Sequence, residues 1–243
     1  KTFDQNIGLT YRVPIDKIPV TDWINSDVRY GVGYTWTAGA VDQADTLGNN
    51  VQNRRDIGVN GKLDFVRLYN KINFLKEVNS PKRSSRRPPP RNQTDTTAQE
   101  PDLKAVKGIL RFLMMLRSVN VSYNERRGTV LPGYKPNVFL FGLDSSFTAP
   151  GYDFILGSQD VGIKNRMVEN NWLAGSEFLT FPFTQYKNVD LKITGNIEPF
   201  QDLRIQFAAN KSKSGNYNEI FRYEDDTLSD GSIVQAPRSF APT

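Results

Sequence analysis

The sequence predicts a mainly β fold of antiparallel strands. Three observations carry that reading: repeated runs in which apolar and polar residues alternate, turn residues between those runs, and the absence of any long apolar segment. The cleanest run is Asp27–Thr37. Its even positions, Val28, Tyr30, Val32, Tyr34 and Trp36, are apolar or aromatic, and its odd positions are polar or glycine. Successive side chains on a strand point to opposite faces, so this segment presents one apolar face and one small, polar face. No run approaches the ~18 apolar residues of a membrane helix, so any membrane role falls to strands, and this run suits a tilted membrane-crossing strand of ~9–11 residues.

In chain order, residues 1–65 predict strands, with the alternation repeated at Ile7, Leu9, Tyr11, Val13 and Ile15 and again at Ile57, Val59, Leu63 and Phe65. Residues 66–117 predict a helix, an insert and a second helix. The first places Val66, Tyr69, Ile72 and Leu75 near one face up to Val78, and the second spaces Leu103, Val106, Leu110, Leu113 and Met114 helically behind Pro101. The insert, 79–100, holds Pro88-Pro89-Pro90 and paired arginines with almost nothing apolar to bury, and is expected to be disordered. Residues 118–186 predict a strand through Val119, Val121 and Tyr123. A long structured loop follows from Gly128, with turns at Leu131-Pro132-Gly133-Tyr134 and Ala149-Pro150-Gly151-Tyr152 and short helices around Phe154 and Met167. Residues 187–243 predict a hairpin of Val189–Gly195 and Leu203–Ala209 across a short connection containing Pro199. One further strand holds Tyr217, Phe221 and Tyr223, its apolar face interrupted by Glu219.

Composition narrows the chemistry. The chain has no cysteine, which removes disulfides, thiolate nucleophiles and zinc-thiolate sites, and no histidine, the commonest general base and transition-metal ligand. Asp144-Ser145-Ser146 therefore has no base to activate a serine. Glu224-Asp225-Asp226 with Asp230 lacks the alternate spacing of a calcium loop and reads as a solvated turn. The net charge of +5 is concentrated at Lys82, Arg83, Arg86, Arg87 and Arg91, and no aromatic residue lies between Asn79 and Glu100 to stack on bases, so nucleic acid is not the expected partner. The expectation is a protein without catalytic activity, cofactor or metal. The Lys-Thr-Phe opening and the ending at Ala241-Pro242-Thr243 read as an excised segment of a longer protein.

Several phrases carry a family resemblance: Tyr11-Arg12-Val13-Pro14-Ile15-Asp16-Lys17-Ile18-Pro19, Asp22-Trp23, Tyr34-Thr35-Trp36, Leu47-Gly48-Asn49-Asn50-Val51-Gln52-Asn53 and Asn60-Gly61-Lys62-Leu63-Asp64-Phe65. Leu68-Tyr69-Asn70-Lys71, Phe74-Leu75-Lys76, Leu131-Pro132-Gly133-Tyr134, Gly151-Tyr152-Asp153-Phe154 and Asn171-Trp172-Leu173 extend it along nearly the whole chain. In order and spacing these phrases resemble the SprA/Sov family, the outer-membrane translocon of the type IX secretion system and of gliding motility. The resemblance implies that the chain is part of a very large transmembrane β-barrel in the bacterial outer membrane, with short helices and long loops. It implies a pore that translocates folded proteins to the cell surface and works with secreted cargo proteins, with plug and shuttle proteins, and with outer-membrane lipid.

On that reading Val28, Tyr30, Val32, Tyr34, Leu191, Ile193, Leu203, Ile205 and Phe207 are expected to face lipid, and Arg29, Lys192, Arg204 and Gln206 to face a water-filled lumen. Tyr11, Tyr30, Tyr34, Trp36 and Phe200 have the character of interfacial aromatic girdles, or of ordinary cross-strand packing. Alternation has the same period whether the apolar face meets lipid or a second protein layer, so a soluble all-β binding or structural module on the cell surface stays open as the alternative.

Overall fold

Seven strands, β1 Thr2–Val13, β2 Ile24–Thr37, β3 Asn49–Asp64, β4 Leu116–Tyr134, β5 Phe183–Phe200, β6 Leu203–Thr227 and β7 Ile233–Phe240, hydrogen-bond in sequence order. The structure is a computed structural model, and it describes residues 1–40, 44–72, 75, 114–175, 179–200, 203–228 and 232–240. Every neighbouring pair is antiparallel, so the sheet is a simple meander in which each alternating run folds back on the one before it. The sheet is open rather than closed on itself. β1 lies at one edge, and at the other β7 pairs only with Ile220–Thr227 of β6.

Among the described residues, short α-helices decorate the sheet: α1 Ala44–Leu47, α2 Phe65–Lys71, α3 Tyr152–Ile155 and α4 Ile163–Glu169. α2 begins where Asp64 accepts a hydrogen bond from the Arg67 backbone N–H at 3.2 Å, an N-cap that ends β3. It ends at Lys71, where Ile72 is extended, and most of the remainder of the expected helix, up to Val78, lies outside the described residues. The 79–100 insert and most of the second expected helix, through Leu113, lie outside the described residues. Met114 and Met115 form a turn, and Leu116 and Arg117 belong to β4.

Three strand boundaries differ from the sequence reading, and two share one cause. Leu131-Pro132-Gly133-Tyr134 is the end of β4, and Pro199 lies inside β5. Each proline coincides with a register shift, between Asn49 and Val51 opposite Pro132 and between Ile197 and Phe200 around Pro199. A bulge is the place in a ladder where a residue without an N–H is tolerated. The third difference is at the far end, where Tyr217, Phe221 and Tyr223 continue β6 as one 25-residue strand.

Register fixes which residues share a face. One row runs Val13, Ser26, Gly61, Val121, Ile193 and Ala209 from β1 to β6, and another runs Ile7, Val32, Arg55, Arg127, Lys187 and Gly215. The opposite face carries Asp27, Asn60 and Ser122, joined by side-chain hydrogen bonds of 2.9 and 2.8 Å, and Asp190 with Ser212 at 2.7 Å. Gly195 pairs with Phe207, whose ring lies over it so closely that a Cβ would sit 2.3 Å from ring carbons. Gly195→Val should therefore displace the Phe207 ring and cost about 1–3 kcal/mol. The check is thermal unfolding, in which Ala208→Val on the other face serves as the reference.

Candidate functional site

The two faces of the sheet are chemically opposite. Arg29, Lys192, Arg204 and Gln206 all lie on the polar one. Arg29 pairs with Thr10 and Gly58, and Gln206 with Asn196. Three cavities open on this side, of 420, 310 and 280 Å³. Lys192 lines the first beside Asn120 and Thr194, Arg29 the second beside Asp56 and Asn124, and Arg204 and Gln206 the third beside Ser118. This face is polar and open to solvent.

The other face divides into three zones. At the end nearest Trp36, Val51 and Leu131 it is covered by described residues of the 135–182 connection between β4 and β5, among them α3 and α4. Phe154, Ile163, Met167, Leu173 and Leu179 of this cap are buried with Tyr34, Trp36, Val51, Leu131 and Phe183 of the sheet. Each such apolar side chain contributes about 1.5–3 kcal/mol by leaving water. The short helices expected around Phe154 and Met167 are α3 and α4.

Polar anchors hold the cap down. Buried Asn53 donates to the carbonyls of Phe154 at 2.8 Å and Ser158 at 2.7 Å, and it accepts from the Gln159 amide at 2.9 Å. On the neighbouring strands Thr129 donates to Gln159 at 2.8 Å, and Gln185 donates to Thr129 at 3.1 Å. Lys164 of α4 pairs with Glu219 and lies over the rings of Phe183, Tyr217 and Phe221. This explains how Glu219 sits within an otherwise apolar row: its charge is met by the cap. Within the cap, Arg166 holds the Asp153 carboxyl below the usual carboxylate value through contacts of 2.6 and 3.0 Å. Burial pushes the Asp144 carboxyl up, but N–H groups led by those of Ala149 and Thr148 outweigh it and hold that group low as well.

The cap corrects two expected lipid contacts. Val32 and Tyr34 are only 5% and 1% exposed, covered by protein. Gly157 and Gly142, at φ +87° and +84°, bring the cap backbone down on them. A Cβ on Gly157 would meet Val32 at 3.2 Å, and one on Gly142 would meet the Tyr34 ring at 2.8 Å. Trp36 is sealed in as well, and the Tyr30 hydroxyl donates to the Leu156 carbonyl at the cap margin.

Beyond the cap lies a charged zone. Glu125, 8% exposed, gathers Arg127 at 2.7 Å, Arg55 at 3.5 Å, Lys187 at 3.7 Å and the Tyr123 hydroxyl at 3.1 Å. A carboxylate this buried persists because it is paired.

The third zone is apolar and open. It holds Val28, Tyr30, Leu191, Ile193, Leu203, Ile205 and Phe207 of the expected set, together with Ile7, Leu9, Tyr11, Ile57, Val59, Val119, Val121 and Val189. Leu9 is 63% exposed, Tyr11 57% and Ile205 44%. The band keeps one level from β1 to β5: Leu9, Tyr30, Ile57 and Val189 share a row with Glu125, and Tyr11, Val28, Val59 and Leu191 share the next with Tyr123. It steps down at β6, where Lys213 and Lys211 stand opposite Val189 and Leu191 and the apolar run is Leu203–Ala209.

Among the described residues no group of three or more Asp and Glu side chains is placed to hold a metal ion. Glu224 and Asp226 lie on β6, held by Arg222 at 2.8 Å and Arg238 at 2.6 Å. No described helix is long and apolar enough to cross a membrane.

Asn53 ties three residues of the cap to β3. Asn53→Ala removes the side-chain donor shared by the Phe154 and Ser158 carbonyls, of which Phe154 keeps the Gly157 N–H, and should cost about 1–3 kcal/mol. Hydrogen exchange should rise across 152–159 while β2 and β3 stay protected. Equal loss of protection in the strands would show that Asn53 supports the sheet and not the cap.

No protein-family model matches this chain, and no curated protein matches it either.

Proposed function

We propose that the chain is a segment of the wall of a very large β-barrel in the bacterial outer membrane, a pore that translocates folded proteins to the cell surface. The observation that carries the membrane part is the open apolar band, which extends over the strands from β1 to β6 outside the cap and leaves Leu9, Tyr11 and Ile205 exposed. A wall strand facing hydrocarbon needs such an uncovered apolar face. The opposite face is polar at the same level, as a water-filled lumen requires. Both lateral edges of the wall, β1 and Leu203–Asn218 of β6, present long ladders with no partner among the described residues, which suits a wall that continues on either side.

The transport part rests on the resemblance to the SprA/Sov family. It brings protein secretion and gliding motility as the process, and cargo, plug and shuttle proteins as partners, with no covalent chemistry assigned to this chain. A second reading, a soluble all-β cell-surface module, is favoured by the sealed core between the cap and the sheet, which is the packing a water-soluble sandwich would use.

The two readings part at Leu191. Leu191→Arg places a cation in the middle of the band and should cost about 2–4 kcal/mol of membrane assembly. Thr194→Arg, on the polar face of the same strand, should leave assembly unchanged. The measurement is the amount of folded protein recovered with outer membranes from cells expressing each variant. Equal recovery of both, or a wild-type protein found in the aqueous fraction, favours the soluble module.

A further inference from the structure

The charged zone is richer in cations than its one carboxylate needs. Arg55, Arg127 and Lys187 lie in one row with Glu125 beside them, and on β6 Lys213 and Lys211 fall opposite Val189 and Leu191. All five point to the same side as the apolar band. The line they form drops toward Lys211 as the band drops, so positive charge follows the upper border of the band from β3 to β6. Between this line and the cap is a 310 Å³ cavity lined by Arg127, Gln159, Gln185, Lys187, Gly215 and Tyr217. Gly215 leaves open space on that side, where a side chain would otherwise intrude. The cavity thus offers two cationic groups, two amides and a phenol at the level where hydrocarbon would give way to headgroups.

We propose that this border binds the phosphate of an anionic lipid, with the cavity at Arg127 and Lys187 taking the headgroup and the acyl chains lying on Val189, Leu191, Ile193 and Phe207. The inference rests on the proposed membrane reading and adds a ligand class and a site to it. Guanidinium and ammonium groups are the donors that recognise phosphate, the former through paired N–H bonds. Basic groups near a membrane surface attract anionic headgroups, at about 1 kcal/mol per Lys or Arg. The apolar band alone would accept any lipid. Selection for an anionic one comes from the cations, because Glu125 neutralises a single charge among five.

The test uses protein extracted from membranes in a neutral detergent, and native mass spectrometry to count lipids retained after adding phosphatidylglycerol or phosphatidylcholine. Wild-type protein should retain phosphatidylglycerol in preference. The triple variant Lys187→Gln, Lys211→Gln and Lys213→Gln removes exposed lysines and leaves Arg55 and Arg127 on Glu125. It should lose that preference by about a hundredfold. Lys192→Gln, the same chemistry on the polar face of β5, should retain the wild-type preference, and excess inorganic phosphate should not displace the lipid. Equal retention of both lipids by the wild-type protein, or an unaltered preference in the triple variant, overturns the lipid site while leaving the membrane wall intact. Full displacement by inorganic phosphate overturns it in favour of a free-anion site. Protein that stays soluble without detergent and retains neither lipid removes the membrane reading itself.

Discussion

The register of a single hydrogen-bonded ladder decides everything else in this protein. Across five strand pairs, from β1 to β6, alternate residues stay on the same side, so that Leu9, Tyr30, Ile57 and Val189 share one face while Arg29, Gly58, Asn124 and Asp190 share the other. A slip of one residue in any strand would send its whole apolar set to the polar face. The side-chain contacts oppose such a slip from both sides. Asp27, Asn60 and Ser122 bond across three strands on one face, and Asn53, Thr129 and Gln185 do so on the other.

The apolar face then does two different things with one kind of surface. Near Trp36 it binds described residues of the protein's own 135–182 connection, and further along it stays uncovered. Glu125 and its cations mark the change. The division explains why the cap carries so many polar anchors. A loop laid on a sheet must satisfy its own backbone carbonyls, and Asn53 does this for two of them while Lys164 ties α4 to β6. The open band needs no such groups, and at its cap-side margin the Tyr30 hydroxyl bonds to the Leu156 carbonyl.

Much of this was legible from alternation alone. The apolar and polar positions of Asp27–Thr37, and the opposition of Leu191 to Lys192 and of Ile205 to Gln206, follow from a period of two. What alternation does not encode is what lies against a face. Val32 and Tyr34 have the same local pattern as Val28 and Tyr30, and the cap that separates them arrives from residues more than 100 positions away, on Gly142 and Gly157. Pro132 and Pro199 read as turns because the bulges that accept them are properties of strand pairs. Glu219 read as an interruption because its partner, Lys164, is 55 residues distant. The cationic border was hidden for the same reason. Arg55, Arg127 and Lys187 belong to three separate strands, and only their shared row brings them together.

The central claim is that the uncovered band meets hydrocarbon. The chain contains no cysteine, so single cysteines can be placed along β5 and β6 without background. In membranes, a water-soluble maleimide should label positions 192, 194, 204 and 206 and spare 191, 193, 205 and 207, and the spared set should become reactive once the protein is denatured. Uniform labelling of both sets in intact membranes would contradict the account.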